Sequence, residues 1–262
     1  MTSRIFPDGA ALVIGGSGGV GQAVCREFAR AGTNVAITYN KKREVAEKLA
    51  GEVRALGVKA SVHQLTIGDP ARVAAVVEEA AREHQRLHTI VVGAGTFAKQ
   101  VLLSEMTREL WQMVMEQDVN GFFNVMQATL PRLKAWGGGS YVHLGSAGHL
   151  SWPERDGISV APKAAIEALV TGIAREEGRH KIRANTVLLG VIEAGMFKVQ
   201  WDRGEFPEAW VTAVNKNLCV KRWGQPEEIG HAAVFLASNK AAYITGHRLP
   251  VAGGFGVGGM EL

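Results

Sequence analysis

Cysteine is nearly missing from this chain: Cys25 and Cys219 are the only two among 262 residues. A disulfide framework needs thiols in pairs and a structural zinc site needs four clustered ligands, so neither is expected and no metal site is assigned. Cys25 falls in an apolar helical pattern and reads as a free, buried thiol. Long apolar runs are missing as well. No stretch approaches the roughly 18–20 unbroken apolar residues of a membrane span. Residues 1–8 have neither the charged start nor the apolar middle of a secretion signal, so a cytoplasmic protein without a membrane partner is expected. Nor is there a block of one charge. The net charge of +4 comes from 29 basic residues scattered among 25 acidic ones, and no basic face interleaved with aromatics is visible, which argues against nucleic acid. No repeat, low-complexity linker or composition break interrupts the chain. With 47% hydrophobic residues, it is expected to form one domain over residues 1–262 around one substantial core.

What the chain does have is glycine in a telling place. Ala11-Leu12-Val13-Ile14 runs straight into Gly15-Gly16-Ser17-Gly18-Gly19-Val20-Gly21, the pattern of a buried strand entering a tight turn. Gly15 lets the chain reverse, and Gly19 and Gly21 remove side chains where a phosphate and the next helix must come close to the backbone. A helix from about residue 20 to 31 then aims its unpaired N–H groups and positive dipole end at an anion.

Strand and helix patterns alternate from there. Strands are expected over 33–39, 60–65, 89–95, 141–146, 183–189 and 247–251, and helices over 44–56, after Asp69-Pro70, over 160–178 and over 226–238, with one unbroken helix over 108–136. This alternation predicts an α/β fold, a doubly wound parallel sheet of the Rossmann type with right-handed crossovers. In such sheets the ligand crevice lies beyond the carboxyl ends of the strands. Gly15, Asn40, Thr66, Gly95, Ser146 and Gly190 should therefore line one rim, with Ser17, Gly18, Val20, Ile67, Ala94 and Ile192 beside them as cofactor contacts.

An NAD-using site commonly places an acid about 20 residues after the glycine turn to hold the ribose 2′-hydroxyl. None stands there. The second strand ends Tyr39-Asn40-Lys41-Lys42-Arg43, which suits a 2′-phosphate, so NADP(H) is favoured over NAD(H); the other reading is that these cations simply open a solvated helix.

At this point the whole length resembles the short-chain dehydrogenase/reductase family. Gly15, Gly19 and Gly21 match its glycine motif, and Gly93-Ala94-Gly95 matches the end of its Asn-Asn-Ala-Gly element. Arg222-Trp223-Gly224-Gln225-Pro226-Glu227-Glu228-Ile229, Phe235-Leu236-Ala237-Ser238 and Tyr243-Ile244-Thr245-Gly246 through Gly253-Gly254 resemble its C-terminal third. The family's usual catalytic set is Ser, Tyr and Lys in a Tyr-x-x-x-Lys frame, with an Asn on the preceding long helix. Here Ser146 fits the serine and Lys163 the lysine, but Ser159 stands in the tyrosine's place and Asp118 in the asparagine's, with Asn120 two residues later. Other departures gather at the same rim: Val92 and Gly93 for the two asparagines, Thr66 for the adenine-side aspartate, Leu189 for the proline before Gly190, and Ala194 for a threonine beside the nicotinamide.

The missing tyrosine is the family's proton donor, and a positioned acid or base supplies about 10²–10⁴ in rate. A ketone reduced by hydride leaves a strongly basic alkoxide, whereas a conjugated enoyl thioester leaves a less basic enolate that hydrogen-bond donors can hold while water supplies the proton. The 2,4-dienoyl-CoA reductases lack the tyrosine in this frame, and the run Met115-Glu116-Gln117-Asp118-Val119-Asn120-Gly121-Phe122-Phe123-Asn124-Val125 resembles theirs.

The resemblance implies an NADP(H)-dependent oxidoreductase acting on a carbonyl or conjugated enoyl compound. Lys163 would sit on the nicotinamide ribose and, with Asp118, organise a water, while Ser146 and Ser159 hydrogen-bond the substrate oxygen. Lys163 reads as this contact in preference to a solvated helix position, while Asp118 reads equally as a helix-face carboxylate paired to that lysine. His149, Trp152 and Asp156 read as loop surface. Met196, Phe197, Trp201, Phe206 and Trp210 lie where the family places a substrate lid, around residues 191–222, and suit an apolar or acyl small molecule. A homotetramer is implied by the family likeness. The competing account is a catalytically silent nucleotide-binding subunit that pairs with an active homologue.

Overall fold

The structure, a computed structural model of the chain, describes residues 4–257. Its seven strands are β1 (Ala10–Ile14), β2 (Asn34–Tyr39), β3 (Ala60–Gln64), β4 (Leu87–Val92), β5 (Gly139–Ser146), β6 (Ile182–Leu189) and β7 (Arg248–Val251). They form one sheet in the order β3-β2-β1-β4-β5-β6-β7, and every pairing is parallel. The order reverses between β1 and β4, which opens the crevice at the carboxyl ends of those two strands.

The helices are α1 (Gly19–Arg30), α2 (Arg43–Ala55), α3 (Pro70–His84), α4 (Arg108–Met115), α5 (Gly121–Ala135), α6 (Gly148–Ser151), α7 (Gly157–Glu177), α8 (Gly195–Asp202), α9 (Glu208–Asn217) and α10 (Pro226–Ala237). β1 and β4 are buried along their whole length, because each lies mid-sheet with helices on both faces. Side chains alternate along β1: Ala11 and Val13 join the core under α1, α2 and α10, while Leu12 and Ile14 join the core under α3, α5 and α7. Each Leu, Ile or Phe buried this way contributes about 1.5–3 kcal/mol. An exposed ion pair such as Arg43–Glu47 contributes about 0.2–1 kcal/mol, so the two cores set the fold.

The start of α3 realises its sequence signal: Asp69 Oδ1 accepts from the Arg72 N–H at 3.0 Å, and Pro70 occupies the first turn. Three expectations are corrected, and one further observation bears on the membrane. The helix expected unbroken over 108–136 is split by a π turn at Glu116–Asn120, a single-turn widening that carries one extra residue and has no compositional mark. The fourth strand stops at Val92 rather than at Gly95, because Gly93 leaves the sheet to follow the glycine turn. α7 begins at Gly157, three residues early, behind the one-turn α6. Finally, α7 with the turn after it, Gly157–His180, is long and apolar enough to cross a membrane by length and composition. Its Ile166, Val170 and Ile173 are buried in the core beneath the sheet.

Candidate active site

The glycine turn is built as the sequence requires. Gly15 has φ +85°, where a side chain is strained, and its N–H donates to Thr38 Oγ1 at 3.0 Å. A Cβ on Gly21 would lie 2.1 Å from the Gly15 carbonyl oxygen, so α1 can start this close to the turn only with glycine there. Ser17 N–H donates to Thr38 O at 3.1 Å and Gly18 N–H to Gly15 O at 2.9 Å. α1 has no side-chain cap and no acid in its first turn, which leaves its first N–H groups directed at the rim. Gly19 differs from expectation. Its Cβ would stand 2.4 Å from the Gly195 backbone nitrogen, so what its missing side chain admits in this structure is the backbone of the 191–222 segment.

Around this turn the expected rim assembles, since all strands point the same way. Ala94 lies against Gly15, Gly190 N–H donates to Val251 O at 3.1 Å, and Ile192 is buried beside Gly224. Ile67 packs under Gly121, with its carbonyl accepting from Asn124 Nδ2 at 3.2 Å. Asn40, Lys41, Lys42 and Thr66 are exposed at the end of β2 and β3. Arg43 turns along α2 toward Glu47, whereas Lys41 and Lys42 have no ion pair among the described residues.

The reaction end is built by β5 and α7. Ser146 closes β5, and its Oγ accepts from the Gly148 N–H at 3.0 Å, which leaves the hydroxyl its own proton to donate. Lys163 and Ser159 stand one turn apart on α7. Lys163 Nζ donates to Ser159 Oγ at 3.1 Å and to the Ser159 carbonyl at 3.3 Å. Asp156, just before α7, belongs to this group and is not loop surface. Its Oδ1 accepts from Gln100 Nε2 at 2.8 Å. The physical reason is Gly148: a Cβ there would stand 3.0 Å from Ser146 Oγ and 3.3 Å from Asp156 Oδ2, so the absent side chain lets both reach one point. Burial raises the Asp156 carboxyl above the ordinary aspartate range, outweighing the Lys163 ammonium and the Gln100 and Ser159 hydrogen bonds that lower it.

Below Lys163 lies a layer of buried titratable groups. His143 is driven down to about 3 by burial and by the Lys163 charge, so it is neutral. Glu167, one turn further along α7 and 2% exposed, is raised by burial to about 7, opposed by Arg248, whose Nε lies 3.4 Å from its Oε2. His149 Nδ1 lies 3.4 Å from Glu167 Oε1, so this residue too faces inward rather than the surface.

Asp118 and Asn120 are separated by the π turn. Asp118 is 5% exposed, and its Oδ1 accepts from the Thr96 N–H at 2.9 Å and from Thr96 Oγ1 at 2.7 Å. Its carboxylate is therefore turned to the loop after β4, and the alternative reading of a direct pair with Lys163 is not what forms, since Lys163 Nζ donates to Ser159. Asn120 is exposed and donates to Glu116, away from the rim; the wider turn that carries Asp118 inward carries Asn120 out. Asn120 was expected in the site only as the asparagine standing two residues after Asp118, and side chains two apart on a helix do not share a face.

The aromatic residues of the 191–222 segment meet as a cluster. Phe206 stacks on Trp210 at 4.2 Å between ring centroids, Phe197 lies 5.2 Å from Phe206, and Trp201 meets Trp223 edge-on at 4.6 Å. Trp223 was not among the residues expected here. A cavity of about 960 Å³ opens at the amino ends of β4, β5 and β6, near Arg86, Ser140 and Lys181, and has no part in this rim.

A parallel sheet with this order, a glycine turn at its switch point and a serine and a lysine at its β5–α7 end define a class. The chain belongs to the short-chain dehydrogenase/reductase family: residues 15–256 match the family model described as Enoyl-(Acyl carrier protein) reductase. The 3-oxoacyl-[acyl-carrier-protein] reductase FabG of Staphylococcus aureus is 32% identical over 246 residues, covering 94% of this chain and 97% of that protein. A blue fluorescent protein from a metagenomic library, solved in complex with NADPH, is 30% identical with a TM-score of 0.84, covering 94% of this chain and 97% of that one. Carveol dehydrogenase from Mycobacterium avium, solved with NAD, shares the fold at a TM-score of 0.89 and 23% identity, over 98% of this chain and 100% of that one.

Proposed function

We propose that this chain is an NADP(H)-dependent oxidoreductase that transfers hydride to a carbonyl or conjugated enoyl group of an acyl-thioester-like substrate. The observation that carries this reading is the Lys163 ammonium held on Ser159 beside Ser146, at the same rim as the uncapped start of α1. The residues present fit a dinucleotide. The glycines let the turn fold tightly enough to bring the uncapped first N–H groups of α1 to the rim, where they suit a diphosphate, and Lys41 and Lys42 suit a 2′-phosphate. The bound nicotinamide would supply the hydride. Lys163 would hold its ribose hydroxyls, and the Ser146 proton would hold the substrate oxygen as charge develops on it.

The 191–222 segment would act as a lid whose aromatic cluster receives the acyl chain, in line with the acyl carrier named in the relatives' descriptions. A homotetramer in the cytoplasm, with no membrane or nucleic-acid partner, accompanies this reading through the family likeness. A second reading has its own observation: Ser159 stands where the family's tyrosine does, as a catalytically silent subunit paired with an active homologue would allow.

Fluorescence titration with NADPH and NADH, followed by turnover assays on 3-oxoacyl, 2-enoyl and 2,4-dienoyl thioesters, tests both. Tighter binding of NADPH together with its oxidation by one thioester supports the enzyme. NADPH bound without turnover across the panel supports the silent subunit.

A further inference from the structure

The cavity at the amino ends of β4, β5 and β6 lies at the far end of the sheet from the glycine turn, and its charge is one-sided. Arg4, Arg86, Lys181 and Arg183 line it, and among the described residues no aspartate or glutamate does. Two of these four cations are already answered. Arg4 pairs with Asp8 at 2.8 Å, and the Arg183 guanidinium donates to the carbonyls of Leu236, Ala237, Ser238 and Ile244 at 2.6–3.2 Å. Arg86 and Lys181 have no ion pair among the described residues. Glu177, which stands just before Gly178 in the cavity wall, is taken by Lys134 at 2.8 Å. His88 adds no charge, because burial first and the Arg86 cation second hold it down to about 3.

The wall also encloses donors that have no acceptor. Arg86 Nε is buried without a hydrogen-bond partner, and so is the hydroxyl of Ser140, 2% exposed and opposite Arg183 in the β5–β6 ladder. Two free cations and unanswered donors around one concavity hold its potential positive, and the chain supplies nothing to balance it.

We infer that this cavity binds a small phosphate ester, its phosphate held by the Arg86 guanidinium and the Lys181 ammonium. The inference stands apart from the reductase reading. A phosphate monoester carries a charge of about −1.5 to −2 at neutral pH, which answers two free cations where a carboxylate answers one. A volume of about 960 Å³ is far more than a phosphate group fills, and Ile5, Pro7 and Tyr243 line the remainder. That is the build of a site for an organic body, largely apolar with a few charged groups fixing one end.

Isothermal titration calorimetry at low salt with phenyl phosphate, inorganic phosphate and phenol separates the parts. Phenyl phosphate is expected to bind once per chain, at least about tenfold tighter than inorganic phosphate, while phenol does not bind over the same range. Arg86→Gln and Lys181→Gln should each weaken phenyl phosphate about tenfold or more. Lys41→Ala with Lys42→Ala, at the other end of the sheet, should leave it unchanged. Lys181 is exposed at a turn, so its variant still reports should Arg86→Gln fail to fold. No binding of phenyl phosphate, or binding unmoved by Lys181→Gln, overturns the site. Binding that is lost with Lys41 and Lys42 instead moves the phosphate to the glycine-turn rim and overturns it as well. Inorganic phosphate bound as tightly as the ester overturns the organic body of the ligand.

Discussion

Two helices begin at the same rim, and they are made differently. α1 starts on backbone alone: glycine caps it, no acid enters its first turn, and its closeness to the preceding strand depends on atoms that are missing from Gly15 and Gly21. α7 starts on side chains, with Asp156, Ser159 and Lys163 each engaged in a named hydrogen bond. A site made from missing atoms tolerates almost no substitution but also reveals nothing about chemistry. A site made from side chains can change its reaction with one residue, and under the proposed function a serine in the tyrosine's place puts the burden on its neighbours.

The largest test of this contrast is Lys163→Ala. Under the proposed function, kcat/KM should fall by about 10²–10³, roughly 3–4 kcal/mol in the barrier, while NADPH still binds. Steady-state assays on an active thioester decide it, and unchanged turnover would erase the division between the two helices. Gly21→Ala should cost about 3 kcal/mol, because the new Cβ meets a backbone carbonyl at 2.1 Å that cannot rotate away. Thermal unfolding and the nucleotide titration should both record it.

Glu167 brings the side-chain end under pH control. Its carboxyl titrates near 7 in the folded chain against an ordinary 4.5, so the native state holds this proton longer than the unfolded one. Its contribution to stability is complete below about 4.5 and is lost as the pH rises through about 7, by about 2 kcal/mol with the half-exposed Arg248 moderating the loss. Denaturant unfolding at pH 5 and pH 8 should show this difference, and Glu167→Gln should flatten it. The smallest effect belongs to the backbone-built end: replacing Lys41 and Lys42 together by Ala should weaken NADPH by about 5–10-fold, leave NADH unchanged, and matter less at high salt.

Much of the backbone-built end was legible before any coordinates. Apolar runs bounded by Gly15, Asn40, Thr66 and Gly190 mark strand ends to within a residue or two, because a sheet covered on both faces demands such runs and parallel crossovers demand helices between them. The side-chain end was legible only where the family resemblance picks out positions, as for Ser146, Ser159 and Lys163. Asp156 was taken for loop surface because nothing in the sequence says that Gly148 leaves room for it or that Gln100, 56 residues earlier, closes over it. Asn120 entered the expected site through the family likeness alone, as the asparagine two residues after Asp118, and the π turn that orients the pair leaves no trace in composition.

The π turn itself shows how this segment can vary. Its one extra residue is absorbed within Glu116–Asn120, so excising a residue there would close the seam to an ordinary α-helix and leave Phe122 and Val125 on their core-facing side. What would go is the wider turn that carries Asp118 to Thr96. The length of this stretch is a setting of the rim and not of the core.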